Sequence, residues 1–329
     1  MRASADSPAP LPAAVGKVRL GAGARPRPQA RAALRRLIWP ALFLAPWLIG
    51  FLGLYLVPMG LSLYYSFTNY DIVATPVWLG LFNYKELATD PQFWLAAGNT
   101  LYLLLVMVPV SLLGALGFAI LLAQPIRGVH VFRTVLYLPS LMPPVAGALL
   151  WLWLLNPEYG LVNTLLGLFG VTGPPWLATP DWSKPALVLM SVWGSGGAMV
   201  IFYAGLKGVS KDLIDAARID GASALRRFVH VTLPSISPLL LFNLVMTVIG
   251  VLQYFTQAFV MGGGEGAGGS VGVGGSLQFF TVYLFQLAFE TMRTGYAAAL
   301  SWVMFVFSAA LTVLIFASAR RWVHYTFWR

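Results

Sequence analysis

Long apolar stretches alternate with short polar ones along this chain, and six of the apolar stretches are long enough to cross a bilayer. They run from Trp39 to Tyr65, Leu95 to Ala123, Thr134 to Leu155, Ala186 to Leu206, Ile236 to Val260 and Tyr296 to Ala319. At 1.5 Å of rise per residue, each can span a hydrocarbon core of roughly 30 Å. None of the six contains Asp, Glu, Lys or Arg. The bilayer demands this purity, because a charge at a helix centre costs about 2.5 to 3.5 kcal/mol on insertion scales. The pattern predicts an all-α polytopic membrane protein with six transmembrane helices over residues 39–329. Residues 1–38, rich in Ala, Pro, Gly and Arg with no apolar period, read as a disordered basic tail. No small-residue cleavage site follows the first apolar run, so it reads as a retained helix.

Composition sharpens this picture. The 329 residues are 58% hydrophobic and only 10% charged, whereas charged residues approach a quarter of a soluble domain. There is no cysteine, which excludes disulfides, thiolate metal sites and cysteine nucleophiles. His130, His230 and His324 are far apart and form no metal-ligand set. Lys and Arg number eighteen on one side of the predicted membrane (the N-terminal tail, Arg127 and Arg133, the Lys207 to Ser235 segment, the C-terminal tail). They number three on the other: Lys85, Lys184 and Arg293. The asymmetry predicts cytoplasmic termini, and it makes the net charge of +10 a report of topology rather than of nucleic-acid binding. Prolines at 46, 58, 109, 139, 143 and 144 predict kinks, with Gly194, Gly196 and Gly197 as small neighbours; either bundle motion or plain packing uses such features. The glycine-rich stretch Gly262 to Ser276 lacks the Gly-Lys-Ser/Thr ending of a phosphate-cradling loop and reads as a flexible outer loop.

Between the fourth and fifth runs lies a polar island, DAARIDGASALRRFVHVTLPSISP, from Asp215 to Pro238. Ser210 is placed to cap a first helix, with Asp212 in its first turn. Gly221 breaks that helix. Asp220 is then placed to cap a second one carrying Leu225 and Phe228, which Leu233-Pro234 ends. Ala216, Ala217 and Ala222 are small enough for close approach, and Phe228 is an apolar knob, a combination that suits docking to a soluble partner. A solvated loop is the local alternative.

Three functions compete. An ion-coupled carrier needs an intramembrane carboxylate or histidine, and the runs contain none. An intramembrane enzyme needs an acid or base, but Asn99, Tyr102, Asn243, Gln253, Tyr254 and Gln257 are neutral hydrogen-bonding groups. A passive translocation subunit driven from outside accounts for both the uncharged spans and the polar island.

The island resembles the coupling motif of binding-protein-dependent ABC importer permeases at Asp215, Ala216, Ala217, Asp220, Gly221, Ala222, Phe228, Leu233, Pro234 and Pro238. It departs from the motif at the first position, where Asp215 stands for Glu. Asn99-Thr100-Leu101, the RTVLYLP stretch from Arg133 to Pro139, Trp176-Leu177 and the run from Gly295 to Ser301 resemble the carbohydrate branch of that family. There the similarity is to the subunit that pairs with a second permease in maltose-type and glycerol-phosphate-type importers. The resemblance implies a type I ABC importer permease fold in a bacterial or archaeal cytoplasmic membrane, with the coupling stretch at 210–238. It implies as partners a second permease, two ATPase subunits that bind ATP and Mg, and an extracytoplasmic solute-binding protein; this chain itself has no cofactor and no catalysis. The implied solute is a di- or oligosaccharide or related polyol, moved by alternating access, with a non-sugar solute as the alternative. Aligned on the motif, the sugar-site positions of the maltose-type subunit fall at Trp193, Gly194, Gly197, Thr247, Val251 and Tyr254. Gln253 and Gln257 add hydrogen-bonding groups, while Gly197 and Val251 differ from the larger or polar residues implied there.

Overall fold

A computed structural model describes residues 30–125, 127–264 and 270–325. The tail expected over residues 1–38 therefore lies almost wholly outside the described residues. Contacts group the chain into a unit ending at Pro58 and a larger one beginning at Met59. In the first, α1 (Ala30–Gly50) continues through a wide turn at Phe51–Leu56. Trp47, Phe51 and Tyr55, four residues apart, stack along one side at 5.3 and 6.4 Å between ring centres. The helix runs on as α2 (Val57–Tyr65).

In the second unit the helices are α3 (Phe82–Thr89), α4 (Pro91–Ala123), α5 (Val129–Leu141), α6 (Pro144–Leu154), α7 (Leu161–Leu168), α8 (Pro180–Trp193) and α9 (Gly196–Gly208). After them come α10 (Lys211–Ile219), α11 (Ala224–Ser235), α12 (Ser237–Leu252), α13 (Thr256–Met261), α14 (Phe280–Phe285) and α15 (Thr294–Trp322). There are no named strands among the described residues.

Among the described residues, three uninterrupted helical stretches are long and apolar enough to cross a membrane: Pro40–Tyr65, Pro91–Ala123 and Thr294–Trp322. The other three expected spans are bent. α5 and α6 meet at 105°, α8 and α9 at 46°, and α11 and α12 at 69°, so six crossings result if each pair is one span. The continuous runs expected over 134–155 and 186–206 are corrected accordingly; the run expected over 236–260 begins at its bend and is broken at 253–255, between α12 and α13.

Prolines explain much of this. Pro143 and Pro144 sit in the 105° elbow, and Pro238 follows the 69° bend at Ile236. Elsewhere a proline widens the helix instead of breaking it. The wide turns at Phe51–Leu56, Leu103–Met107 and Phe228–Thr232 each end just before a proline, at 58, 109 and 234. The ring removes a donor and crowds the carbonyl four residues back, and the extra residue per turn relieves that crowding. Leu233-Pro234 therefore does not end the second coupling helix, which passes through it.

In lipid, apolar burial alone does not drive helices together, so close packing decides contacts. Ala115 and Ala119 of α4 are fully buried and admit Phe202 and Met199 of α9. At the start of α15, a Cβ on Gly295 would lie 2.2 Å from the carbonyl oxygen of Thr68. Gly295 thus abuts the segment that leaves α2, and the run that follows packs against α3, with Tyr296, Ala299 and Leu300 in a common cluster with Leu87.

The described flanks of the glycine-rich stretch are ordered, contrary to the expected flexible loop. Val271, Leu277 and Phe279 are almost completely buried in the main core. Asn99 Nδ2 donates to the carbonyls of Gly275 and Gln278 at 2.8 and 3.0 Å, and Thr100 Oγ1 accepts from the amide of Phe280 at 3.1 Å. The Gln278 side chain accepts from the Val271 amide and donates to Gln286. Asn99-Thr100 thus acts as a clamp on the chain that returns from the glycine-rich stretch, whose residues 265–269 lie outside the described residues.

Candidate functional sites: a cavity at the elbow and the coupling stretch

A cavity of about 290 Å³ opens where the elbow between α5 and α6 faces the end of α8 and the break after α12. Pro139, Pro143 and Gly147 form its elbow side, and Ser191, Trp193 and Gly194 its α8 side; Tyr254 and Gln257 close it. Trp193 is braced edge-on by buried Trp151, ring centres 5.8 Å apart, and Tyr254 by Phe279 at 6.0 Å. The Tyr254 carbonyl accepts from Thr281 Oγ1 at 2.7 Å, which fixes the backbone of the break. Ser140 and Ser191 line the cavity and donate to carbonyls within their own turns, which leaves their oxygens the role of acceptors. The Gln257 amide makes no hydrogen bond among the described residues. Among the described residues no charged side chain lines the cavity. Two braced aromatic faces with neutral donors and acceptors suit an uncharged, hydroxyl-rich solute.

Of the eight residues expected along a solute path, the structure brings four together: Trp193, Gly194, Tyr254 and Gln257. Gln253 instead faces a separate groove between α12 and α15, beside Thr281, Ser301 and Ser308. Gln253 is the C-cap of α12 and Tyr254 the residue after it, and their side chains point to different sides. Val251 is buried in the core, Thr247 is half-buried outside the cavity lining, and Gly197 has open space where a Cβ would stand. Gly196 is the residue that matters in that glycine cluster: a Cβ there would meet the carbonyl oxygen of Leu136 at 2.5 Å. The start of α9 is thereby wedged against α5, two turns before the elbow.

The coupling stretch is built on a single turn. Gly221 has φ +74°, the left-handed region. The Ala222 amide donates to the carbonyl of Ala217 at 3.0 Å, and the Gly221 amide to that of Arg218 at 3.1 Å. These are the two bonds of a Schellman cap, and they give the spacing Ala217, Asp220-Gly221-Ala222 its physical meaning. Arg227 donates to the Ala222 carbonyl at 2.6 Å and ties the second helix back to the turn.

Several expected details change. Ser210 precedes α10, but its side chain makes no capping bond. Asp220 ends α10, and the side chain that caps α11 is that of Ser223, accepting from Arg226 N at 3.4 Å. Among the described residues Asp215 pairs with Arg218 alone, at 3.5 Å and exposed. Phe228 is no outward knob. With Ile214 and Leu233, it packs inward against the cluster of Leu116, Met199 and Phe202. Outward exposure falls instead to Ile219 at 86% and Leu225 at 73%, flanking the turn on either side. Apolar side chains are common enough at any position that only their facing, invisible in one sequence, separates these roles.

At the opposite end of the bundle, Asp90 accepts hydrogen bonds from the hydroxyls of Tyr283 and Tyr296, the latter at 2.7 Å. Burial pushes its carboxyl up, but bonds from the two tyrosines and the amides of Gln92 and Phe93 outweigh this and hold it below the usual carboxylate range. Arg293 pairs with Glu86 at 2.7 Å and stacks on Tyr296. Lys184 donates to Asn99 Oδ1 at 3.0 Å and lies over the Tyr102 ring. Among the described residues no three His, Cys, Asp or Glu side chains gather as a metal site.

Residues 115–324 match the family model described as binding-protein-dependent transport system inner membrane component. The chain is 39% identical over 286 residues to the Probable ABC transporter permease protein YesP of Bacillus subtilis, covering 86% of this chain and 91% of that one. It is 34% identical to the Lactose transport system permease protein LacF of Rhizobium radiobacter, over 73% and 80% of the two chains. In fold it is similar to a bacterial ABC transporter involved in the import of the acidic polysaccharide alginate, with a TM-score of 0.74 at 22% identity over 89% of this chain and 98% of that one.

Proposed function

Because the chain belongs to the family of binding-protein-dependent transport system inner membrane components, and is thus a multi-pass inner membrane permease subunit and not an enzyme, we propose that it forms the sugar path of an ATP-driven ABC importer. The observation that carries this reading is the uncharged aromatic cavity at the elbow. A pyranose can lay its C–H face on Trp193 or Tyr254, and its hydroxyls can exchange water for the Gln257 amide and the serine oxygens. The absence of charge from that lining favours a neutral di- or oligosaccharide or a polyol over an amino acid. A relative named for lactose transport supports the same class, and one named for sulfoquinovosyl glycerol transport supports a sugar-bearing solute.

In this reading the termini are cytoplasmic, as the basic residues favour. An extracytoplasmic binding protein delivers the sugar, a second permease completes the path, and two ATPase subunits bind ATP and Mg. The turn at Gly221, with Asp215, Ala216, Ala217, Asp220 and Ala222 around it, sits in a cleft of one ATPase; Phe228, Leu233, Pro234 and Pro238 fix it to the bundle. ATPase closure then moves the bundle between inward-open and outward-open states.

Reconstituted with its partners, the Tyr254→Ala protein is expected to import sugar roughly tenfold more slowly with unchanged basal ATPase, the size expected for one stacking contact. Wild-type import would remove Tyr254 from the path. Thermal stabilisation of the cognate binding protein by amino acids or peptides, and not by sugars, would overturn the sugar assignment and leave the importer assignment standing.

A further inference from the structure

We propose that the C-terminal end of α15 holds an anionic phospholipid. The helix is uncharged from Tyr296 to Ala319, and Arg320 and Arg321 follow at once. A helix of that apolar length places them at headgroup depth. Beyond Trp322 the chain leaves the helix and doubles back: the His324 amide donates to Ser237 Oγ at 2.8 Å, and Ser237 in turn donates to the carbonyl of Pro234 at 2.7 Å. This strap stands Tyr325 beside the last turns of α15 and completes a groove of about 510 Å³. Val313, Phe316 and Ala317 give the groove an apolar floor, and Arg320 and Tyr325 stand at its mouth. The Thr312 hydroxyl donates within the helix to the carbonyl of Ser308, so it does not spoil that floor.

The shape matches one amphipathic molecule, with hydrocarbon below and an anion above. Neither Arg320 nor Arg321 forms an ion pair among the described residues. A guanidinium at the water–lipid boundary without a carboxylate is suited to a phosphate diester, which it can bind through two parallel hydrogen bonds. Charge argues against the two occupants that this chain itself could supply. A second copy of this face would set arginines against arginines across a twofold axis. The residues before Ala30 carry five Lys or Arg against one Asp, and would be repelled as well.

The full chain in detergent, titrated with phosphatidylglycerol or with phosphatidylcholine of the same acyl chains and read by native mass spectrometry, tests the site. Phosphatidylglycerol is expected to bind in preference, and Arg320→Gln to weaken that binding about fivefold. Ala317→Trp, which keeps the charge and fills the floor, is expected to weaken both lipids. Melting in lipid-free detergent separates loss of fold from loss of lipid; if one variant misfolds, the other and the wild-type preference still decide. Equal binding of the two lipids overturns the site, and so does displacement of phosphatidylglycerol by inorganic phosphate. So does a photoreactive side chain at position 313 that cross-links in membranes to protein and not to lipid.

Discussion

Gly221 shows what a single residue contributes. Its φ of +74° closes the cap that joins the two coupling helices, and nothing crowds the space where a Cβ would go. The backbone, not the available room, selects glycine there. A β-branched side chain in this region strains the turn by on the order of 1 to 2 kcal/mol, whereas asparagine tolerates it. Gly221→Val is therefore expected to leave the protein in the membrane but lose solute-stimulated ATPase in reconstituted complexes, with Gly221→Asn retaining most of it. Equal activity of the two variants would count against the cap as the coupling element. The glycine and its neighbours were legible in sequence because their spacing is a hydrogen-bond pattern. Phe228 was not: a half-buried phenylalanine and an exposed one read alike, and only the packing with Met199 and Phe202 decides.

Among the elements, the α5–α6 elbow, the end of α8 and the break between α12 and α13 determine the cavity. Their apolar runs were plain in the sequence, since lipid permits no charge within them, but the breaks inside them were not. Pro139 and Pro144 lie within the same apolar run as Leu141 and Leu149, and composition does not change across a 105° turn. For the same reason Gln253 and Tyr254, adjacent in the chain, were both expected on the path, yet the end of α12 sends them to different grooves. The neighbouring glycines of α9 offer a direct comparison. A Cβ on Gly196 meets the Leu136 carbonyl oxygen at 2.5 Å, while one on Gly197 meets nothing within 4 Å. Gly196→Ala is expected to cost roughly 1 to 3 kcal/mol of overpacking strain and to reduce import. Gly197→Ala is expected to match wild type in melting temperature and in uptake.

For the whole molecule, the coupling stretch has two faces with separable duties. Ile219 and Leu225 project into solvent beside the turn, and Phe228 roots the stretch in the bundle. Replacing Ile219 or Leu225 with Asp is expected to weaken retention of the ATPase roughly thirtyfold, as for a lost interface anchor, while this chain's own melting temperature holds. Phe228→Ala is expected to do the reverse first, costing on the order of 2 kcal/mol of fold stability. Retention assays on purified complexes, paired with melting of the chain alone, distinguish the two.

The wedge at Gly196 has a mechanical consequence. α9 is a straight rod of 13 residues, about 20 Å long. Two residues separate its far end, Gly208, from the start of α10, and its near end abuts the Leu136 carbonyl, two turns before the elbow. A pushrod seated without slack delivers its stroke undiminished, so a displacement imposed on the polar hook must arrive at the hinge of the solute chamber or bend the rod on the way.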